Sequence, residues 1–82
     1  MQHELKTWPQ YFVGLATGAK PFELRRNDRG FKIGDQLTLR EWCPIMEKYT
    51  GRKEIRFVSY VLTNCAGLDD DYAILGLDDK PF

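Results

Sequence analysis

Only one stretch of this 82-residue chain, Trp8 to Thr17, repeats its apolar side chains at helical spacing. Trp8, Phe12, Leu15 and Ala16 form the stripe. Pro9 suits the first turn, where its missing N–H would have no partner, and Gly18 offers the left-handed stop that glycine adopts most easily. Around this single helix the apolar period is two. His3 to Thr7 reads as a short opening strand. Phe22 and Leu24 alternate with Glu23 and Arg25 up to the turn formers Asn27 and Asp28, and Gln36 to Trp42 alternates again. Glu54 to Leu62 starts by alternating and becomes apolar on both faces from Phe57, as a central or barrel-closing strand requires. Tyr72 to Leu77 is a last short strand, with Gly76 marking a bend or a close backbone approach. Pro44 to Gly51 is a loop or the tip of a long hairpin, Asn64 to Asp71 an acidic turn, and residues 78–82 a loose tail.

Five strands with one helix after the first do not alternate as a doubly wound parallel sheet does. The pattern predicts a mainly β (α+β) domain, a small and mostly antiparallel barrel whose closure protects the edge strands of a short chain. At 82 residues there is room for one domain, residues 1–82, that buries roughly 60–65% of its unfolded surface. The opening residues Met1-Gln2-His3-Glu4 have no basic and apolar leader pattern, and no apolar run is long enough to cross a bilayer. Cys43 and Cys65 are isolated thiols. Together these features predict a cytoplasmic protein in a reducing compartment.

Lys and Arg total 12, as do Asp and Glu, yet the charges are unevenly spread. Residues 1–60 carry 11 cations against 7 acids, whereas residues 61–82 carry Lys80 against five aspartates. Lys20 to Lys32 is the most basic stretch, and such a patch attracts phosphate even on a neutral protein. One histidine and two cysteines 22 positions apart supply no zinc set, and Asp69-Asp70-Asp71 lacks the spacing of a calcium loop. No metal or other cofactor is expected. The chain also contains no Gly-x-Ser-x-Gly elbow and no glycine-rich phosphate loop.

The remaining chemistry lies between Gly18 and Arg29. If Phe22 and Leu24 enter the core, Glu23 and Arg25 share the outer face, and Lys20 overhangs a cleft at the junction of helix and strand. An ammonium, a carboxylate and a guanidinium so close together bind phosphate or the polar edge of a base, or else neutralise one another as a surface network. Trp8, Tyr11 and Trp42 can stack a base, although Trp8 is equally placed to anchor the helix to the core.

The pattern Gly18-x-Lys20-x-x-Glu23-x-Arg25 resembles the signature of the ASCH domain (activating signal cointegrator homology) of the PUA-like superfamily. Trp8-Pro9-x-Tyr11-Phe12, Phe22 to Arg29, Gly34-Asp35, Leu39 to Trp42, Tyr49 to Arg52 and Tyr72 to Leu77 are similar to a small family of bacterial and phage proteins described as ASCH-like or RNA-binding-like. The resemblance implies a barrel of five or six strands with a helix beside it, and a ligand cleft between the two. It implies RNA or nucleotide binding, and together with the basic residues and aromatics read above this makes Lys6, Trp8, Lys20, Glu23, Arg25, Arg26 and Arg29 the candidate ligand residues. Another branch of the superfamily hydrolyses an acetylated cytidine nucleoside with a Lys-x-x-Thr motif and a later glutamate. On this chain the Lys falls on Lys20 and the Thr position on Glu23, which has no hydroxyl to acylate. No glutamate follows Glu54. If the protein is an enzyme, Lys20 and Glu23 are its catalytic pair and activate water instead. A third reading makes the basic stretch a docking patch for an acidic protein partner.

Overall fold

A computed structural model describes residues 1–81. The elements follow in the order β1 (Gln2–Thr7), α1 (Pro9–Thr17), β2 (Phe22–Arg26), β3 (Gln36–Cys43), β4 (Lys48–Leu62) and β5 (Tyr72–Asp78). The five strands form one sheet ordered β1-β3-β4-β5-β2. β1 lies parallel to β3, and every other pairing is antiparallel. The sheet curls into a half-barrel with α1 beside it, which is the mainly β architecture that the strand periods predict. β4 is central, as its two apolar faces require. Its first residues pair with the end of β3, so residues 44–51 are the tip of a long hairpin, the second of the two expected forms, with a turn at 44–47 and paired strand from Lys48. Residues 79–81 lie beyond β5 and are exposed. The last residue of the expected loose tail, Phe82, lies outside the described residues.

α1 starts where Trp8, in extended backbone, accepts hydrogen bonds from the N–H groups of Tyr11 and Phe12. It stops at Gly18, whose φ of 82° is the left-handed conformation expected there. Its inner side delivers Leu15 to a core made with Leu5, Phe31, Leu37, Leu39, Val58, Ala73 and Leu75. Each fully buried Leu or Val contributes roughly 1.5–3 kcal/mol. Arg56, inward-facing on β4, donates to the Leu15 carbonyl at 2.9 Å, a second bond to an acceptor that also receives the Gly18 N–H of the helix stop at 3.2 Å. No helix among the described residues is long and apolar enough to cross a membrane.

β2 reverses an expectation. Glu23 pairs with Leu75 and Arg25 with Ala73, both of which point into the core, so Glu23 and Arg25 also face inward. Phe22 and Leu24 are turned out, 44% and 53% exposed. Alternation sets the period of a strand but not its phase. The phase here follows from pairing with β5, and a shift of one residue would turn every side chain over.

β1 and β2 are the two ends of the sheet and do not pair. Side chains cross the seam between them. Arg25 donates from Nη2 to the Lys6 carbonyl, and Arg29 donates from Nη1 to the Glu4 carbonyl at 2.8 Å. The Met1 carbonyl bonds the Gln36 N–H toward β3, and alternation turns the carbonyls of residues 4 and 6 the other way. Two guanidinium groups therefore hold acceptors that a neighbouring strand would otherwise use.

A candidate ligand site between the helix and the sheet

The site is built around one carboxylate. Glu23 is 3% exposed, and each of its oxygens meets a cation: Lys20 Nζ lies 2.8 Å from Oε1 and Arg25 Nε 2.7 Å from Oε2. A buried carboxylate needs such partners, because an unpaired charge away from water is costly. Lys20 is held from behind as well. Its backbone N–H donates to the Gly14 carbonyl at 2.9 Å, and its stem crosses the helix where Gly14 leaves space. A Cβ at position 14 would sit 2.9 Å from Lys20 Cβ. The ammonium also lies 5.3 Å from the ring centre of Tyr11 and 5.5 Å from that of Phe22, within cation–π range.

Lys20 opens on a cavity of about 460 Å³ shared by the C-terminal turn of α1, the start of β2 and the end of β5. Thr17, Arg56, Asp78 and Asp79 contribute polar groups to its wall, and Leu15, Pro21 and Leu77 apolar ones. Donors, acceptors and apolar surface meet in one place, as a small-molecule or nucleoside site requires.

Beyond Glu23 the polar interior continues. Arg25 Nη2 lies 3.4 Å from Thr7 Oγ1, and Thr7 is the register partner of Glu41 on β3. Glu41 is a second buried carboxylate, accepting from Thr50 Oγ1 at 2.7 Å with Arg52 at 3.8 Å. Arg52 in turn lies 5.0 Å from the ring centre of Phe12. Sequence reasoning passed over Thr7, Glu41 and Arg56. The signal for Glu41 was present, since it continues the inward series Leu37, Leu39.

The expected ligand residues thus divide. Lys20, Glu23 and Arg25 come together at one end of the sheet interior. Arg29 is drawn to the seam instead, and Arg25 has the seam as a second duty. Arg26 points outward with Phe22 and Leu24, its guanidinium 6.0 Å from the Tyr72 ring. Lys6 also faces outward, its ammonium 4.0 Å above the Trp42 ring. Trp8 is 49% exposed at the start of α1 and does not anchor the helix to the core.

At the opposite end of the interior, His3 Nε2 lies 2.9 Å from Asp35 Oδ2, and the N-terminal ammonium lies 3.3 Å from Oδ1. Burial pushes the Asp35 carboxyl up. The hydrogen bonds from His3, the Lys32 N–H and the N-terminal ammonium outweigh that, and the group sits below the ordinary carboxylate value.

Fold and site define a small curled-sheet protein whose helix flanks a cleft lined by Lys20, itself paired to the buried carboxylate of Glu23. The chain belongs to the family described as Domain of unknown function (DUF3850), whose model matches residues 2–77. It is similar to the "Uncharacterized 12.9 kDa protein in GpA 3'region" of Escherichia phage P2, 37% identical over 76 residues. That alignment covers 89% of this chain and 64% of the phage protein, so the chain spans less than two thirds of its relative's length.

Proposed function

We propose that this protein binds RNA by taking one or two nucleotides into the cleft between α1 and the inner face of the sheet. The observation that carries the reading is the burial of Glu23 with Lys20 and Arg25 fixed on its two oxygens, Lys20 also lining the 460 Å³ cavity. A fixed ammonium recognises phosphate or a base carbonyl, and the acceptors of Asp78 and Asp79 suit exocyclic amino groups. The exposed Tyr11 ring beside Lys20 offers a stacking surface. The likeness of Gly18-x-Lys20-x-x-Glu23-x-Arg25 to the ASCH signature supports the same reading, and a cytoplasmic location accords with it. A cleft with both charges fits recognition of a few groups better than a long electrostatic groove, as does a formal net charge of zero.

Hydrolysis of an acylated pyrimidine nucleoside has less support. Cations occupy both oxygens of Glu23, so neither is free to take a proton from water without breaking an ion pair, and no hydroxyl stands in the nucleophile position. An amide-resolved NMR titration separates the readings, first with a short single-stranded RNA and then with N-acetylated cytidine. RNA should shift the amides of Thr17 to Arg25, and Lys20→Ala should abolish the response. Free acetate accumulating with the nucleoside would make the protein an enzyme. Silence with both ligands would overturn the proposal in favour of a protein partner.

A further inference from the structure

The outer face of the sheet carries a second cluster of cations that the cleft does not use. Lys6 on β1 is the register partner of Arg40 on β3, and Arg40 that of Lys53 on β4. Register partners project from the same face, so three cations stand in one row across three adjacent strands, roughly 5 Å apart per step. Like charges side by side on a sheet destabilise it. Among the described residues Glu4 alone offsets the row, through an exposed ion pair with Arg40 at 3.2 Å, and neither Lys6 nor Lys53 has a carboxylate within 4.0 Å.

Two aromatic rings order the row. Trp42 and Tyr49 pack edge to face with centroids 5.0 Å apart. Lys6 Nζ sits 4.0 Å over Trp42, and the Arg40 guanidinium 3.8 Å over Tyr49. Cations lodged on rings give up less freedom when they bind an anion. Beside them is a cavity of about 280 Å³ whose lining includes Arg40, Lys53, Tyr49, Thr38 and Glu4.

We propose that the row Lys6–Arg40–Lys53 is a second binding site, on the sheet face opposite the helix cleft, for successive phosphates of a single-stranded nucleic acid. Evenly spaced cations match a ligand whose charge repeats along its length, and cations interleaved with aromatics are the composition that single strands favour. The site does not depend on the cleft holding a nucleotide.

The test uses the full chain and a fluorescein-labelled 12-nucleotide oligouridylate, with affinity measured from 50 mM to 300 mM salt. The triple variant Lys6→Gln/Arg40→Gln/Lys53→Gln should bind at least tenfold more weakly at 50 mM. Its plot of log affinity against log salt should be shallower by about 2, as expected for three lost phosphate contacts. Its melting temperature should hold or rise, because the change removes repulsion. An unchanged slope, no binding by the wild type at 50 mM salt, or equal displacement of the RNA by poly-L-glutamate would each overturn the proposal. Lys20→Ala acts on the cleft alone. An altered slope in the triple variant with no chemical shift at Lys20 would therefore defeat the cleft reading and leave the row standing. The reverse pattern would defeat the row.

Discussion

β2 and β3 are both alternating strands of the same sheet, yet β3 turns leucines inward over most of its length where β2 turns charge. β3 buries Leu37 and Leu39 and turns Thr38 and Arg40 to the other face, the ordinary arrangement of a half-buried strand, and brings a carboxylate inward only toward its end, at Glu41. β2 buries Glu23, half-buries Arg25, and leaves Phe22 and Leu24 in solvent. Apolar burial alone would favour turning β2 over. Pairing with β5 and the cations on Glu23 hold it in the less favourable phase. The polar side chains that β2 turns inward are the ones on which the proposed cleft rests, whereas Leu37 and Leu39 of β3 lie in the apolar core.

The comparison breaks most visibly in the core. Leu39→Ala, at a fully buried position of β3, should cost about 3 kcal/mol in chemical denaturation, within the range for buried leucines. Leu24→Ala on β2 should cost less than about 0.5 kcal/mol, because that side chain is already in water. Comparable losses at the two positions would mean that Leu24 is buried and the phase of β2 is wrong.

Glu23→Gln sharpens the contrast at the site. It leaves Lys20 and Arg25 facing a neutral amide, and a cost of about 1–2 kcal/mol is expected, reduced from that of a fully buried pair because both cations reach solvent. RNA binding at the cleft should weaken with it. A variant as stable as the wild type would show that the carboxylate contributes nothing to holding β2 in place.

The smallest effect is expected at the far end of the interior. A carboxyl with a depressed native pKa contributes stability that is complete above its unfolded value, near 4, and fades as the pH drops through the lower native value. Melting temperatures should therefore decline below about pH 4, and Asp35→Asn should flatten that part of the profile while lowering stability by about 1 kcal/mol at neutral pH. An unaltered acid limb in Asp35→Asn would remove Asp35 from this account.

Much of this was legible in the chain. The stripe from Trp8 to Ala16 and the stop at Gly18 specify α1, because proline, helical spacing and a left-handed glycine agree. Leu37 and Leu39 reveal the inward phase of β3 since nothing competes with their burial. The phase of β2 was hidden because it depends on which strand lies beside it, a contact made about fifty residues later in the chain. The first part of β4 was hidden for another reason. Lys48, Thr50, Arg52 and Lys53 have no apolar alternation to display, as that arm of the hairpin is largely exposed. The trio Lys20, Glu23 and Arg25 was legible as neighbours, but its burial was not, and burial is what separates a site from a surface ion-pair network.

The guanidinium contacts of Arg25 and Arg29 bear on how copies of this protein meet one another. An open sheet ordinarily offers its outermost strand to any extended segment that comes by, and that is how small β proteins begin to aggregate. Here the β1 carbonyls of Glu4 and Lys6 already receive charged donors. An incoming strand would have to displace two charge-assisted bonds, and bring its own N–H groups past two positive charges, before pairing with either residue. Along this part of β1, side chains do for an open sheet what backbone closure does for a barrel: they occupy acceptors before another chain can.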